Sequence, residues 1–170
     1  MSHAATKQSH VVQLEPPRFE NGKALLIAGL RSRYTAETMH NLPTQWQRLA
    51  PHIGKIAGQI GRNTYGMCWQ ARDGGGIEYL SGVEVSGFAG LPTEFTVVSI
   101  PAQRYAVFSH RGHVSELYQT CDAISKWFPE SGYQCAGGGA DGADFFERYT
   151  EEFDPRTGMG GMEVWVPIKS

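Results

Sequence analysis

The chain has 170 residues, 41% of them hydrophobic and 19% charged, with a formal net charge of −2. That length suits one domain, or two small units sharing a core. The near-balanced charge excludes a general attraction to nucleic acid or to an anionic membrane surface. Lysines and arginines are scattered singly, and there is no heptad pattern, no helix-turn-helix pattern and no apolar run long enough to span a membrane. Residues 1–10 are polar and lack the apolar centre of a signal peptide, so residues 1–17 are expected to be a disordered lead-in. The three cysteines, Cys68, Cys121 and Cys135, are odd in number and lack CxxC spacing. They are expected to be reduced thiols of a cytoplasmic protein, with no disulfide framework and no structural zinc.

In chain order, residues 19–22 lead into an apolar run from residue 24 to 30, which predicts a buried strand continuing to Tyr34. Asn41, Leu42, Pro43 and Thr44 form a helix start. Trp46, Leu49, Ile53, Ile56 and Ile60 follow at helical spacing, interrupted by Pro51 and Gly54, so a kink or an end near Ala50 is expected. Residues 64–71 and 77–86 read as paired strands around a glycine-rich hairpin loop at 72–76, with a bulge at Gly82. Residues 87–93 form a joint. The second half opens on β-rich stretches at 95–100 and 104–109, broken by Pro101 and Ala102. Val114, Leu117, Cys121, Ile124 and Phe128 then step as an amphipathic helix that Pro129 is expected to stop. A loop at 131–143 precedes two last arms, Phe145–Tyr149 and residues 162–168, joined by a long hairpin loop.

The halves repeat strand, helix, hairpin. The expected fold class is α+β: duplicated βαββ units forming an antiparallel sheet with two packed helices and a central ligand cleft. The domain is expected over 18–168, with repeats at about 18–88 and 94–168. The stretch around Glu78 to Glu84 echoes the one from Glu147 to Glu163.

The last arms carry the most suggestive chemistry. Glu147 is followed two residues on by Tyr149, and Glu163 by Trp165, so each carboxylate shares a strand face with a ring. A solvated strand carboxylate is the ordinary outcome. A buried one is costly unless a cation compensates it, and Trp165, Tyr149 and Tyr79 would offer ring faces to such a cation. If both acids line one cleft, their repulsion raises an apparent pKa of the pair. Trp46 is as much a core residue as a cleft wall, and Trp127 is a weaker candidate for the cleft. His110 and His113 lack a third ligand, so no metal is expected. No GxSxG stretch supports a serine hydrolase, and the glycine runs lack the Lys-Ser/Thr of a phosphate loop, so no cofactor is expected.

Residues 100–112, Ile-Pro-Ala-Gln-Arg-Tyr-Ala-Val-Phe-Ser-His-Arg-Gly, resemble a signature of GyrI-like small-molecule-binding domains. The likeness continues through residues 127–133, Phe146-Glu147-Arg148-Tyr149 and Glu163-Val164-Trp165-Val166-Pro167-Ile168. In the first half it takes in Leu42-Pro43-Thr44-Gln45-Trp46 and residues 77–85. It covers roughly residues 18–168. Each motif is weak alone, and their order and spacing together are fairly specific.

The resemblance implies the duplicated βαββ fold and a role as an effector-binding domain of AraC-type or MerR-type transcription regulators, or as a free-standing protein. It implies lipophilic organic ligands, often cationic, held in an aromatic pocket containing glutamate. Three functional readings stand. A free-standing binding module would sense, sequester or confer resistance to such a compound through Glu147, Glu163, Trp165, Tyr149, Trp46, Tyr79 and Trp127. A hydrolase of strained cyclopropane-bearing compounds would use Glu147 or Glu163 to activate water. A protein-interaction role would antagonise a toxin or complete a separately encoded regulator. No helix-turn-helix is apparent, so direct DNA binding is not expected, nor is a membrane partner. The oligomeric state is not legible.

Overall fold

The computed structural model describes residues 13–71, 74–136 and 143–169. Of the lead-in expected to be disordered, residues 1–12 lie outside the described residues, while Leu14 packs on the core and Glu15 pairs with Arg111; residues 72–73 of the expected hairpin loop and 137–142 of the expected loop at 131–143 also lie outside them. Eight strands form one antiparallel sheet: β1 (Arg18–Gly22), β2 (Leu25–Tyr34), β3 (Gln59–Gln70), β4 (Ile77–Val85), β5 (Thr96–Ile100), β6 (Gln103–His110), β7 (Phe145–Tyr149) and β8 (Met162–Pro167). Two helices, α1 (Leu42–Leu49) and α2 (Leu117–Ser131), follow β2 and β6. No helix among the described residues is long and apolar enough to cross a membrane.

The strand order is β1-β6-β8-β7-β3-β4-β2-β5. Exchanging β1 with β5, β2 with β6, β3 with β7 and β4 with β8 reads this order backwards into itself. The duplication is therefore a pseudo-twofold with its axis between β7 and β3. The opening strand of each half pairs with the other half. The expected echo of β4 in the β7–β8 arms is corrected by this order, because β4 corresponds to β8 and β3 to β7.

Two-residue links at 23–24 and 101–102 carry each crossing. Arg18↔Val107, Gly22↔Gln103, Leu25↔Ile100 and Gly29↔Thr96 lie on one unbroken antiparallel register. A single ribbon thus serves both ends of the sheet, and the sheet has to curl to allow it. Pro101, which has no N–H to give a ladder, sits at the bend. The inner face of the curl packs Leu25, Ile27, Met67, Leu80, Ile100, Tyr105, Phe146 and Trp165 against one another with no helix over them. The outer face carries the two helices, α2 over Phe108, Met162, Val164 and Val166 and α1 over Leu30 and Val83.

The periodic strands are found near where the pattern puts them, and several boundaries differ. Of the two outcomes expected for the stripe from Trp46 to Ile60, the end near Ala50 is found: α1 ends at Leu49, a 3-10 turn spans Ala50–His52, and Ile60 belongs to β3. Gly82 is not bulged and pairs regularly with Gly29; the irregularity falls between Gln59 and Thr64. Pro129 lies inside α2, which ends instead at Gly132, at φ 82° in the left-handed region open to glycine.

Candidate functional site

On β7 the alternation places Phe145, Glu147 and Tyr149 toward the helices and Phe146 and Arg148 toward the inner face. On β8, Glu163 and Trp165 share the inner face. The register fixes this, with Glu147 opposite Val164, Arg148 opposite Glu163 and Phe146 opposite Trp165. The two glutamates expected in one cleft therefore lie on opposite faces of the sheet.

Glu147 is partly buried beneath the helices. Its Oε1 accepts from the Tyr79 hydroxyl at 2.7 Å and from the Tyr149 hydroxyl at 2.8 Å. Above them, Trp46 of α1 donates its indole N–H to the Tyr79 hydroxyl at 3.2 Å. Its ring stands edge-on to Tyr149 at 5.4 Å and to Tyr79 at 6.3 Å. Burial pushes the Glu147 carboxyl above the ordinary carboxylate value, and the two tyrosine hydrogen bonds only partly offset this. Burial, with the Glu147 charge beside them, pushes both tyrosines well above theirs, so they stay protonated donors. Among the described residues no lysine or arginine pairs with Glu147.

Three further residues complete the cluster and were not among the sequence candidates. Gly66 of β3 lies directly across from Glu147. A Cβ there would overlap the Tyr79 hydroxyl and come within 2.6 Å of Glu147 Oε1, so the close meeting of acid and phenol requires glycine. A glycine inside a strand pattern is the signal that pointed to it. Cys68 of β3 and Cys121 of α2 border the same space. Burial, followed by the nearby Glu147 charge, raises both thiols, Cys121 to about 12. They are weak nucleophiles there.

Glu163 has a different environment. Its Oε1 accepts from Arg148 at 2.7 Å and from the Trp165 indole at 3.1 Å, and its Oε2 pairs with Arg18 at 2.7 Å. Burial works against its charge, but the hydrogen bonds from Arg18 and Trp165 and the charges of Arg148 and Arg18 outweigh it and hold the carboxyl below its ordinary value. Trp165 is 8% exposed, stacked on Phe146 at 5.6 Å, with Arg148 4.7 Å from its ring centre. Trp127 packs on Phe108 and Phe128 and stacks against Tyr133. Of the sequence candidates, Glu147, Tyr149, Tyr79 and Trp46 come together, and Glu163, Trp165 and Trp127 lie elsewhere.

An open groove of about 540 Å³ lies along the far ends of β6 and β8, bordered by Arg62, Asn63, His110, Arg111, Glu152 and Glu163. None of the Glu147 cluster lines it. Its charges find partners locally, Arg62 with Glu151 and Arg111 with Glu15. Among the described residues no group of three His, Cys, Asp or Glu side chains is placed to hold a metal ion.

Fold and cluster together define a duplicated α+β module with an acid-and-aromatic centre beneath its helices. The chain belongs to the family of GyrI-like small-molecule-binding domains, which it matches over residues 15–169. It is 30% identical over 125 residues to the transcriptional regulator BrlR of Pseudomonas aeruginosa, a match covering 72% of this chain and 44% of BrlR. The chain thus spans less than half the length of that relative. Among solved structures it resembles SAV2435 bound to tetraphenylphosphonium, with a TM-score of 0.70 at 18% identity, covering 92% of this chain and 95% of that one. It also resembles EcmrR in complex with DNA, with a TM-score of 0.64 at 11% identity, covering 98% of this chain and 62% of that one.

Proposed function

We propose that this domain binds a lipophilic organic cation between α1 and α2, with Glu147 as the counter-charge, Tyr79 and Tyr149 as its orienting donors and Trp46 as the displaceable aromatic wall. The observation that carries this reading is a carboxylate set under an aromatic roof with no lysine or arginine among the described residues to compensate it. A bound cation would supply the missing charge and restore the ionised form that burial disfavours. Ring faces of Trp46, Tyr79 and Tyr149 would add cation–π attraction. Glu163 is a poor candidate for the same task, because Arg18, Arg148 and Trp165 already occupy its oxygens. Sensing is the use suggested by the likeness to a transcriptional regulator.

Tetraphenylphosphonium is a suitable probe because it is permanently charged and lipophilic. Titration should quench tryptophan fluorescence with one site per chain, and the ligand should be recovered unchanged. Glu147→Gln should weaken binding roughly ten- to a hundredfold. Equal affinity in the variant would defeat the assignment of the counter-charge. Multiple turnovers on a cyclopropane-bearing electrophile, lost in the same variant, would replace binding with hydrolysis by Glu147.

A further inference from the structure

Helix α1 has eight residues, and within it only Gln45 and Leu49 are buried. A helix that short, with one buried apolar side chain, is not held by the hydrophobic effect alone. Gln45 is 2% exposed. Its Nε2 donates to the Leu30 carbonyl at 2.8 Å, to Ser81 Oγ at 3.0 Å and, more weakly, to the Tyr79 carbonyl at 3.3 Å. Its Oε1 accepts from the Tyr34 hydroxyl. One amide therefore fastens α1 to both β2 and β4. Tyr79 is gripped at two points by consecutive residues, its carbonyl by Gln45 and its hydroxyl by Trp46.

We propose that Gln45 is a positioning residue of the cleft: it fixes α1 on the sheet, so that the cleft opens by rotation of the Trp46 side chain and not by movement of the helix. The inference rests on the binding reading above for what the cleft admits, but its geometry is independent of any ligand. Shifting α1 breaks the four hydrogen bonds of a buried amide and leaves polar groups unpaired. Rotating Trp46, which is only partly buried, breaks a single hydrogen bond and two edge-on ring contacts and gives up some apolar packing where three clusters meet, but it leaves no buried amide unpaired. The second movement is the easier one. It also brings out the ring face that a cation would need.

The test uses 5-fluorotryptophan at the four tryptophans, with Trp46→Phe assigning its fluorine resonance. Tyr34→Phe and Ser81→Ala each remove one Gln45 partner without touching α1, and they carry the experiment if Gln45→Leu fails to fold. In ligand-free protein, Tyr34→Phe should shift or broaden the Trp46 resonance and leave those of Trp69, Trp127 and Trp165 in place. Tetraphenylphosphonium affinity should fall by about fivefold, the worth of one buried hydrogen bond. Saturating wild type with that cation should move the Trp46 resonance and leave amide exchange in α1 unchanged. A Trp46 resonance and affinity at wild-type values in Tyr34→Phe and Ser81→Ala, or faster exchange across α1 on binding, would overturn the proposal. If wild type does not bind the cation, or Glu147→Gln binds it equally well, the binding reading fails. The ligand-free resonances still decide the role of Gln45.

Discussion

Replacing Glu147 with glutamine should stabilise the empty domain at neutral pH while it weakens cation binding, two effects of opposite sign from one substitution. The amide is nearly isosteric, and its oxygen can accept the same hydroxyls of Tyr79 and Tyr149 that now meet the carboxylate at 2.7 and 2.8 Å. What is removed is a negative charge that burial disfavours. Relief of that penalty is worth on the order of 1–3 kcal/mol, and the hydrogen bonds lose some strength when their acceptor becomes neutral, leaving a net gain of about 1 kcal/mol.

The pH dependence identifies the source of the gain. The folded-state pKa of Glu147 lies above its unfolded value, so the native state holds more protons than the unfolded one through that interval. Wild-type stability from this group is therefore highest in acid. It falls as pH rises from the ordinary carboxylate value of about 4 through the raised native value, then levels off. Glu147→Gln lacks this component. Urea unfolding of both proteins between pH 4 and pH 8, followed by tryptophan fluorescence, cancels the other titrating groups in the difference. That difference should be near zero in acid and grow to its plateau above the native pKa. A variant less stable at neutral pH, or a difference that does not change with pH, would refute the reasoning. Tetraphenylphosphonium at a hundredfold excess over its Kd should stabilise wild type by about 2.7 kcal/mol and the variant much less.

Glu163→Gln should do the reverse and destabilise the fold by about 1–3 kcal/mol in urea unfolding, because it takes the carboxylate from Arg148 and one of the two carboxylates from the partly exposed Arg18, which keeps Glu20. Glu163 has a depressed carboxyl, so its contribution is present above the ordinary carboxylate pKa and is lost as pH falls through the native value; tetraphenylphosphonium affinity should not change. Gly66→Ala should cost roughly 1–3 kcal/mol by overpacking and should separate Tyr79 from Glu147, seen as a lower thermal midpoint together with lost cation affinity; wild-type affinity would show that the acid and phenol need not meet over that strand. Iodoacetamide at mildly alkaline pH should label exposed Cys135 first, half-buried Cys121, whose thiol is raised, far more slowly, and buried Cys68 only at the rate of opening, resolved by mass spectrometry. Rapid native labelling of Cys121 would mean that the cleft stands open.

Strands with an alternating or β-rich pattern, and α2, are legible because local periodicity and tertiary demand agree in them. β1 is not, since Arg-Phe-Glu-Asn-Gly has no alternation of its own and is extended because β6 pairs with it. The stripe from Trp46 to Ile60 outruns its helix because β3 begins at Gln59 and happens to continue a helical spacing, and Pro51 and Gly54 are the signals that mark the end near Ala50. Pro129 costs α2 one hydrogen bond and crowds the carbonyl four residues back, but with only Glu130 and Ser131 after it the helix carries on to Gly132. For the acids, period two tells which neighbours share a face within a strand but not how β7 and β8 are aligned, and that alignment separates Glu147 from Glu163. Gln45 stands four residues before Leu49 on one helical face, but its polarity alone gives it no task in the sequence. Its burial depends on partners in β2 and β4 that only the folded sheet brings together.

The duplication sharpens the meaning of a single acid beneath the helices. β3 and β7 are equivalent strands that meet at the pseudo-twofold, and Gly66 and Glu147 face one another across it. A symmetric copy would place a side chain from each strand there. The Tyr79 hydroxyl instead takes up the room that a Cβ on residue 66 would need, so the two halves contribute unlike parts: the first a glycine, a tyrosine and a tryptophan, the second an acid and a tyrosine. Two carboxylates side by side would repel and share a proton, so the pair would carry about the same single negative charge as one acid while titrating as a coupled unit. One carboxylate held by two neutral donors, which offset its burial only in part, leaves one charge for a cation to stabilise, and the second acid of the arms, Glu163, is spent on Arg18 and Arg148 at the opposite face. Loss of symmetry at the axis thus leaves the proposed cleft with one carboxylate that no lysine or arginine among the described residues pairs.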